Sequence, residues 1–156
     1  MGVASLVATA IGILLLIVTA YVLAGGTLSV ADAVATAEKD AAAQHELQMR
    51  TSIEIVSTTL TANTSTIRVN LENTGSILIG DFAHTDVYLM QDGIPVHYAY
   101  GSGAGSWAVS SIQPDEIHPG YLDPGEIMIA DITYTGSSPT WIQMTTPSGV
   151  SDSDYL

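Results

Sequence analysis

Hydrophobic and polar residues divide this chain into three stretches with different periods. From Val3 to Ala24 the run VASLVATAIGILLLIVTAYVLA carries no charged side chain. At 1.5 Å of rise per residue it makes about 33 Å of helix, enough to cross the roughly 30 Å hydrocarbon core of a bilayer. Cleaved secretory signals carry a basic leader and a shorter apolar stretch of about 7 to 15 residues. No basic residue precedes this run. The pattern predicts a retained transmembrane helix over residues 1–26. Thr9, Gly12, Thr19 and Ala20 place small and hydroxylated side chains in it, which permits close helix–helix approach in lipid.

Beyond Gly25-Gly26 the pattern changes. Thr27 to Gln48 is alanine-rich, with apolar residues near helical spacing at Leu28, Ala31, Ala35, Ala42 and Leu47. This predicts a helical stem over residues 27–50. The two glycines form a candidate hinge, because each costs about 1 kcal/mol in a helix relative to alanine.

From Thr51 the period falls to two, predicting a β domain over residues 51–156. Ile53, Ile55, Thr58 and Leu60 suggest one strand, and Ile67, Val69 and Leu71 a second, joined near 61–66. Further strands are expected at Ser76–Ile79, Thr85–Gln91, Ile94–Tyr100, Ser106–Ile112, Glu126–Tyr134 and, last, Thr140–Thr145. Asp92-Gly93 is a type I′ hairpin signal, since both residues tolerate positive φ. The GSGAG stretch at 101–105 reads as a loop and Asp123-Pro124-Gly125 as a turn. Seven or eight short strands at intervals of about ten residues, without intervening helices, indicate a Greek-key β-sandwich.

Charge narrows the possible partners. Lys39, Arg50 and Arg68 are the only Lys or Arg residues against 16 carboxylates, for a formal net charge of -13. Such a surface repels nucleic acid and keeps an exposed domain soluble. There is no cysteine, so disulfides, thiolate metal sites and thiol nucleophiles are excluded. A polar, Thr- and Ser-rich β domain suits the outside of the membrane. So does the sequon Asn63-Thr64-Ser65, which makes Asn63 a candidate glycosylation site.

The residues offer little to catalysis. His45, His84, His97 and His118 are scattered without the paired spacing of a zinc site. The loop carboxylates Asp81, Asp86, Asp92, Asp115, Glu116, Asp123 and Glu126 match no calcium loop. Nucleophile-elbow, P-loop and dinucleotide fingerprints are all missing. We therefore expect neither catalytic residues nor a cofactor nor a metal. Tyr98, Tyr100, Trp107 and Tyr121 surround the Gly-rich loop; they read either as a protein-binding surface or as core.

The order of several segments carries a family resemblance. Met1-Gly2 is followed directly by the apolar helix and by an Ala- and Gln-bearing stem. The stem leads into TSIEIV at 51–56, then IRVNLENTGS at 67–76, LDPGE at 122–126 and TPSGV at 146–150. Asn73 and Gly75 are expected to close a strand by adopting left-handed conformations. Taken together, the chain resembles the FlaF (ArlF) family of archaellum (archaeal flagellum) accessory proteins, within the archaellin and type IV pilin-like superfamily. The resemblance implies an immunoglobulin-like domain between membrane and S-layer. It also implies a motor component that anchors the stator by binding the S-layer, so that torque turns the filament. Contact with other archaellum accessory proteins is implied as well, and homo-oligomerisation through the β domain, where a strand edge is the first place to look. The alternative is an archaellin-like or pilin-like subunit of an extracellular filament, its apolar helices packed as the filament core.

Overall fold

The computed structural model describes residues 2–61 and 64–156. Asn63 lies outside the described residues. Two compact units divide the chain, Met1–Ala43 and Gln44–Leu156. The first is helical; the second holds the last turns of the helix and all of the strands.

One helix, α1, runs from Gly2 to Arg50 over 49 residues. It includes an 18-residue window of mean hydropathy 2.6, and is long and apolar enough to cross a membrane. The expected hinge is not present, because α1 continues without interruption through Gly25-Gly26. Threonines do not break it either. Their hydroxyls donate back to carbonyls one turn earlier, Thr9 to Ser5 at 2.8 Å, Thr19 to Leu15 at 2.9 Å and Thr27 to Leu23 at 3.1 Å. At the other end, the Thr51 N–H and hydroxyl both donate to the Leu47 carbonyl, at 2.9 and 2.7 Å. Extended backbone follows at once.

Eight strands follow: β1 (Ile53–Thr61), β2 (Thr66–Asn73), β3 (Asp86–Gln91), β4 (Ile94–Tyr100), β5 (Ser106–Gln113), β6 (Ile127–Thr133), β7 (Trp141–Thr145) and β8 (Ser151–Tyr155). Their order is β1-β2-β6-β5-β4-β3-β7-β8. The first four form one sheet and the last four the other. This is the order of the ABED and C′CFG sheets of an immunoglobulin-type sandwich. The sheets join where Ala99 and Tyr100 pair in parallel with Ser106 and Trp107.

Alternation produces the core. Ile67, Val69 and Leu71 on β2 stand opposite Ile132, Ala130 and Met128 on β6, and Val87 and Leu89 on β3 opposite Met144 and Ile142 on β7. All ten are buried and face the opposing sheet. Asp92 and Gly93 have φ of 51° and 79°, so the β3–β4 hairpin turns as its sequence predicts.

Three expectations need correction. Ser76–Ile79 forms no strand; its sole ladder contact is the bridge between Ile79 and Leu122, whose N–H groups each donate to the other's carbonyl. A strand beyond Thr145, β8, had no counterpart in the apolar pattern, because SDSDY has none. Finally, neither Asn73 nor Gly75 adopts a positive φ. Gly75 is required by proximity, since a Cβ there would lie 2.6 Å from the Ser52 nitrogen and 2.7 Å from the Arg50 carbonyl.

Candidate protein-binding surfaces

The Asn-Thr-Gly segment fastens the end of the stem to the sandwich. The Asn73 side chain is fully buried. Its Nδ2 donates to the carbonyls of Ile77 at 2.8 Å and Leu122 at 2.9 Å, while Oδ1 accepts the Gly75 N–H at 3.0 Å. Gly75 and Ser76 in turn donate to the carbonyls of Ser52 and Arg50. Groups that would otherwise be orphaned at the helix end and strand end are thus paired. Beside this junction lies a groove of about 520 Å³, lined by Leu47, Gln48, Leu78 and Pro147 among others.

Two buried carboxylates brace the neighbouring loop. Asp123 accepts the His118 N–H at 3.0 Å and contacts the His118 imidazole at 2.8 Å. Glu126 accepts the N–H of Asp123 at 3.1 Å. These acids are occupied by loop backbone. Among the described residues no cluster of three or more histidines and carboxylates has the arrangement of a metal site. His84 and His97 each pair with one carboxylate, Asp81 and Asp86 respectively, on the surface.

The four aromatic residues do not share one surface. Tyr98 is 1% exposed and Trp107 0%, so both belong to the core. The Tyr98 hydroxyl donates to Gln91 Oε1 at 2.9 Å, whereas Trp107 Nε1 has no partner among the described residues. Tyr100 meets Trp107 edge to face at 5.0 Å and stays 43% exposed. Tyr121, also half-exposed, lies against Gly80, a position where any side chain would collide with its ring.

The two flanks of the sandwich differ. On one, carboxylates of β8 reach across to β1. Asp152 accepts the Ile55 N–H at 2.7 Å, beside the bulge at Val56, and Asp154 accepts the Thr58 hydroxyl at 3.1 Å. On the other, β4 and β5 share only the short parallel contact, so Ile94–Tyr98 of β4 is paired on one side alone. That edge exposes Ile94 and Val96, aliphatic side chains that lie apart from the aromatic candidates. The signal was present as alternation flanking Pro95, a residue that blunts an edge by removing a donor.

Across the outer face of the first sheet, Arg68 on β2 stands opposite Asp131 on β6 and makes a two-pronged ion pair at 2.8 and 2.9 Å. The hydrogen bonds from Arg68 hold the Asp131 carboxyl below its ordinary range, and burial opposes them only partly.

No family model matches the chain. An uncharacterized protein of Archaeoglobus fulgidus is 28% identical over 162 residues, spanning 98% of this chain and 94% of that protein. The archaellum periplasmic stator protein FlaG of Sulfolobus acidocaldarius superposes with a TM-score of 0.56 at 25% identity, covering 68% of this chain and 99% of the solved chain. The β domain is built like an archaellum stator protein. The complex of FlaF and FlaG from the same organism gives a TM-score of 0.55 at 25% identity, covering 67% of this chain and 87% of the matched one. These likenesses support an archaellum accessory protein. They extend over about two thirds of the chain and do not single out FlaF from FlaG.

Proposed function

We propose that this protein is a non-enzymatic component of the archaellum motor, anchored in the cell membrane by the apolar part of α1. Its sandwich stands on the extracytoplasmic side. There it binds the sandwich of another archaellum accessory protein and holds the stator to the S-layer, so that torque turns the filament. The observation that carries this reading is the likeness of this chain, over 68% of its length, to 99% of the solved chain of a stator protein. The one-sided edge of β4, with Ile94, Val96 and Tyr100 exposed, is the surface we assign to the partner. Strand addition there supplies main-chain hydrogen bonds, and the exposed side chains supply fit.

Intact-mass and N-terminal analysis of protein from native membranes and from sheared filaments tests the reading. The stator role predicts protein in the membrane fraction, in few copies, with residues 3–24 retained. Abundant protein along purified filaments, with the apolar helix at its mature N-terminus, would replace this reading by the filament-subunit one.

A further inference from the structure

The outer face of the second sheet carries rings that fill no core. Val87 and Leu89 on β3 and Ile142 and Met144 on β7 point inward, so Tyr88, Met90, Trp141 and Gln143 point outward. Trp141 stands between Met90 and Tyr155 across the strands, and Gln143 between Tyr88 and Ser153. Directly opposed side chains are about 5 Å apart, so these residues make two adjoining rows, one apolar and one able to hydrogen-bond. Tyr155 is 81% exposed, while Trp141 and Tyr88 keep part of their surface in solvent. The rings are held in place before any ligand arrives. Tyr88 lies against His97, with ring centroids 5.2 Å apart, and Asp86 contacts His97 Nε2 at 3.1 Å. Tyr155 is fixed by pairing with Trp141 and by the Leu156 N–H, which donates to the Thr140 carbonyl at 3.1 Å. Little conformational freedom is left to lose on binding.

We propose that this face binds neutral glycan chains carried by other proteins of the cell envelope. A pyranose has a face of C–H groups and a rim of hydroxyls. It stacks its C–H face on the electron-rich face of an aromatic ring and hydrogen-bonds sideways. Trp141 and Tyr155 supply the rings, and the Gln143 amide with the Tyr88 and Ser153 hydroxyls supplies polar partners in the next row. Charge selects a neutral ligand. The three Lys and Arg residues of the chain lie on α1 and β2, so an acidic glycan or an anionic lipid surface meets no cation of that kind here and is repelled by a net charge of -13. The core of a protein interface is apolar and dry, whereas the outward positions of β3, β7 and β8 carry no Ile, Leu or Val. The envelope source of the glycan rests on the extracytoplasmic placement proposed above; the chemistry of recognition does not.

Glycans released chemically from the cell's own envelope proteins, separated into neutral and acidic pools and immobilised, are the probe. The purified full chain in a sugar-free detergent is expected to bind the neutral pool and not the acidic one. Trp141→Ala and Tyr155→Ser should each weaken binding about tenfold, and Trp141→Phe should keep most of it. Tyr155→Ser changes an exposed side chain and should leave the melting temperature near that of the parent, which separates lost binding from lost folding. Failure to bind the neutral pool, equal binding of the acidic pool, or undiminished binding by Tyr155→Ser overturns the proposal. So does equal binding of envelope protein stripped of its glycans, which would make the ligand a polypeptide. Fractionation of membranes and filaments reports the motor reading separately. Protein in the membrane that binds no glycan refutes this proposal alone, and glycan binding by protein found along filaments refutes the stator role alone.

Discussion

Replacing Asn73 with Asp keeps the shape of a buried side chain and inverts one of its ends. In the native chain Nδ2 donates to two carbonyls, those of Ile77 and Leu122, both under 3 Å away. An ionised carboxylate at that position would aim an oxygen at both, and no cavity forms that would complicate the accounting. The Leu122 carbonyl keeps the Ile79 N–H, so the Ile77 carbonyl is the one left unpaired, and the substitution should destabilise the β domain by about 1 to 3 kcal/mol. For a domain of this size about 4 °C of melting temperature accompanies each kcal/mol, giving a fall of about 4 to 12 °C at pH 7. The sign of the pH dependence follows. Burial against two carbonyls, with the Gly75 N–H the one donor aimed at the side chain, raises the pKa of the introduced acid, so its penalty is full above that value and shrinks as acid protonates the carboxyl and restores one donor. Thermal unfolding of the full chain in detergent, followed by fluorescence of buried Trp107, measures both effects. A melting temperature within about 2 °C of the parent at pH 7, or a deficit unchanged at pH 4, would refute the assignment of Asn73 as the donor that joins the two loops.

Gly75→Ala should cost about 1 to 3 kcal/mol through overpacking against Ser52 and Arg50, read as a shifted denaturant midpoint at constant slope. Asp131→Asn should cost about 0.2 to 1 kcal/mol at neutral pH, the range for an exposed pair. Since the carboxyl is held low, the contribution is present above its unfolded pKa and is lost as pH falls through the folded value; parent and variant should converge in acid. Ile94→Lys with Val96→Lys should change stability by no more than about 0.5 kcal/mol, because both side chains are exposed. The same pair should abolish swimming and co-purification of the accessory partner, and normal swimming would remove β4 from consideration. Gly25→Ala with Gly26→Ala should raise helix stability by about 1 kcal/mol per site without moving the sandwich midpoint, checked by circular dichroism and fluorescence.

The sequence pattern revealed those parts of the fold that depend on one-sided burial. β2, β6 and β7 alternate because one face of each meets the opposing sheet, and Asp92-Gly93 announced its hairpin through backbone conformation. β8 was hidden for a physical reason. Its strand character comes from pairing with β7, and its side chains are acids and serines that reach β1 or solvent instead of the core. The reverse error, at Ser76–Ile79, came from an apolar run whose backbone is held by Asn73 and Leu122 and not by a neighbouring strand. Composition marked Tyr98 and Trp107 as binding candidates, but only packing shows them enclosed. Asn73 and Gly75 were noticed as a motif for turn geometry, and the three-dimensional contacts replace that with a donor for two carbonyls and an absent Cβ.

The unlike flanks of the sandwich limit its valency. A domain with two open sheet edges can add neighbours on both sides and propagate as a fibre. Here the carboxylates of Asp152 and Asp154 occupy donors along β1, whereas on the other flank Ile94–Tyr98 of β4 and the part of β5 beyond Trp107 are each paired on one side alone. Strand addition is thereby confined to one flank of the sandwich, and the β1 flank is closed to it. Neighbours joined by strand addition therefore stack on one side of this domain and do not run on through it as a fibre.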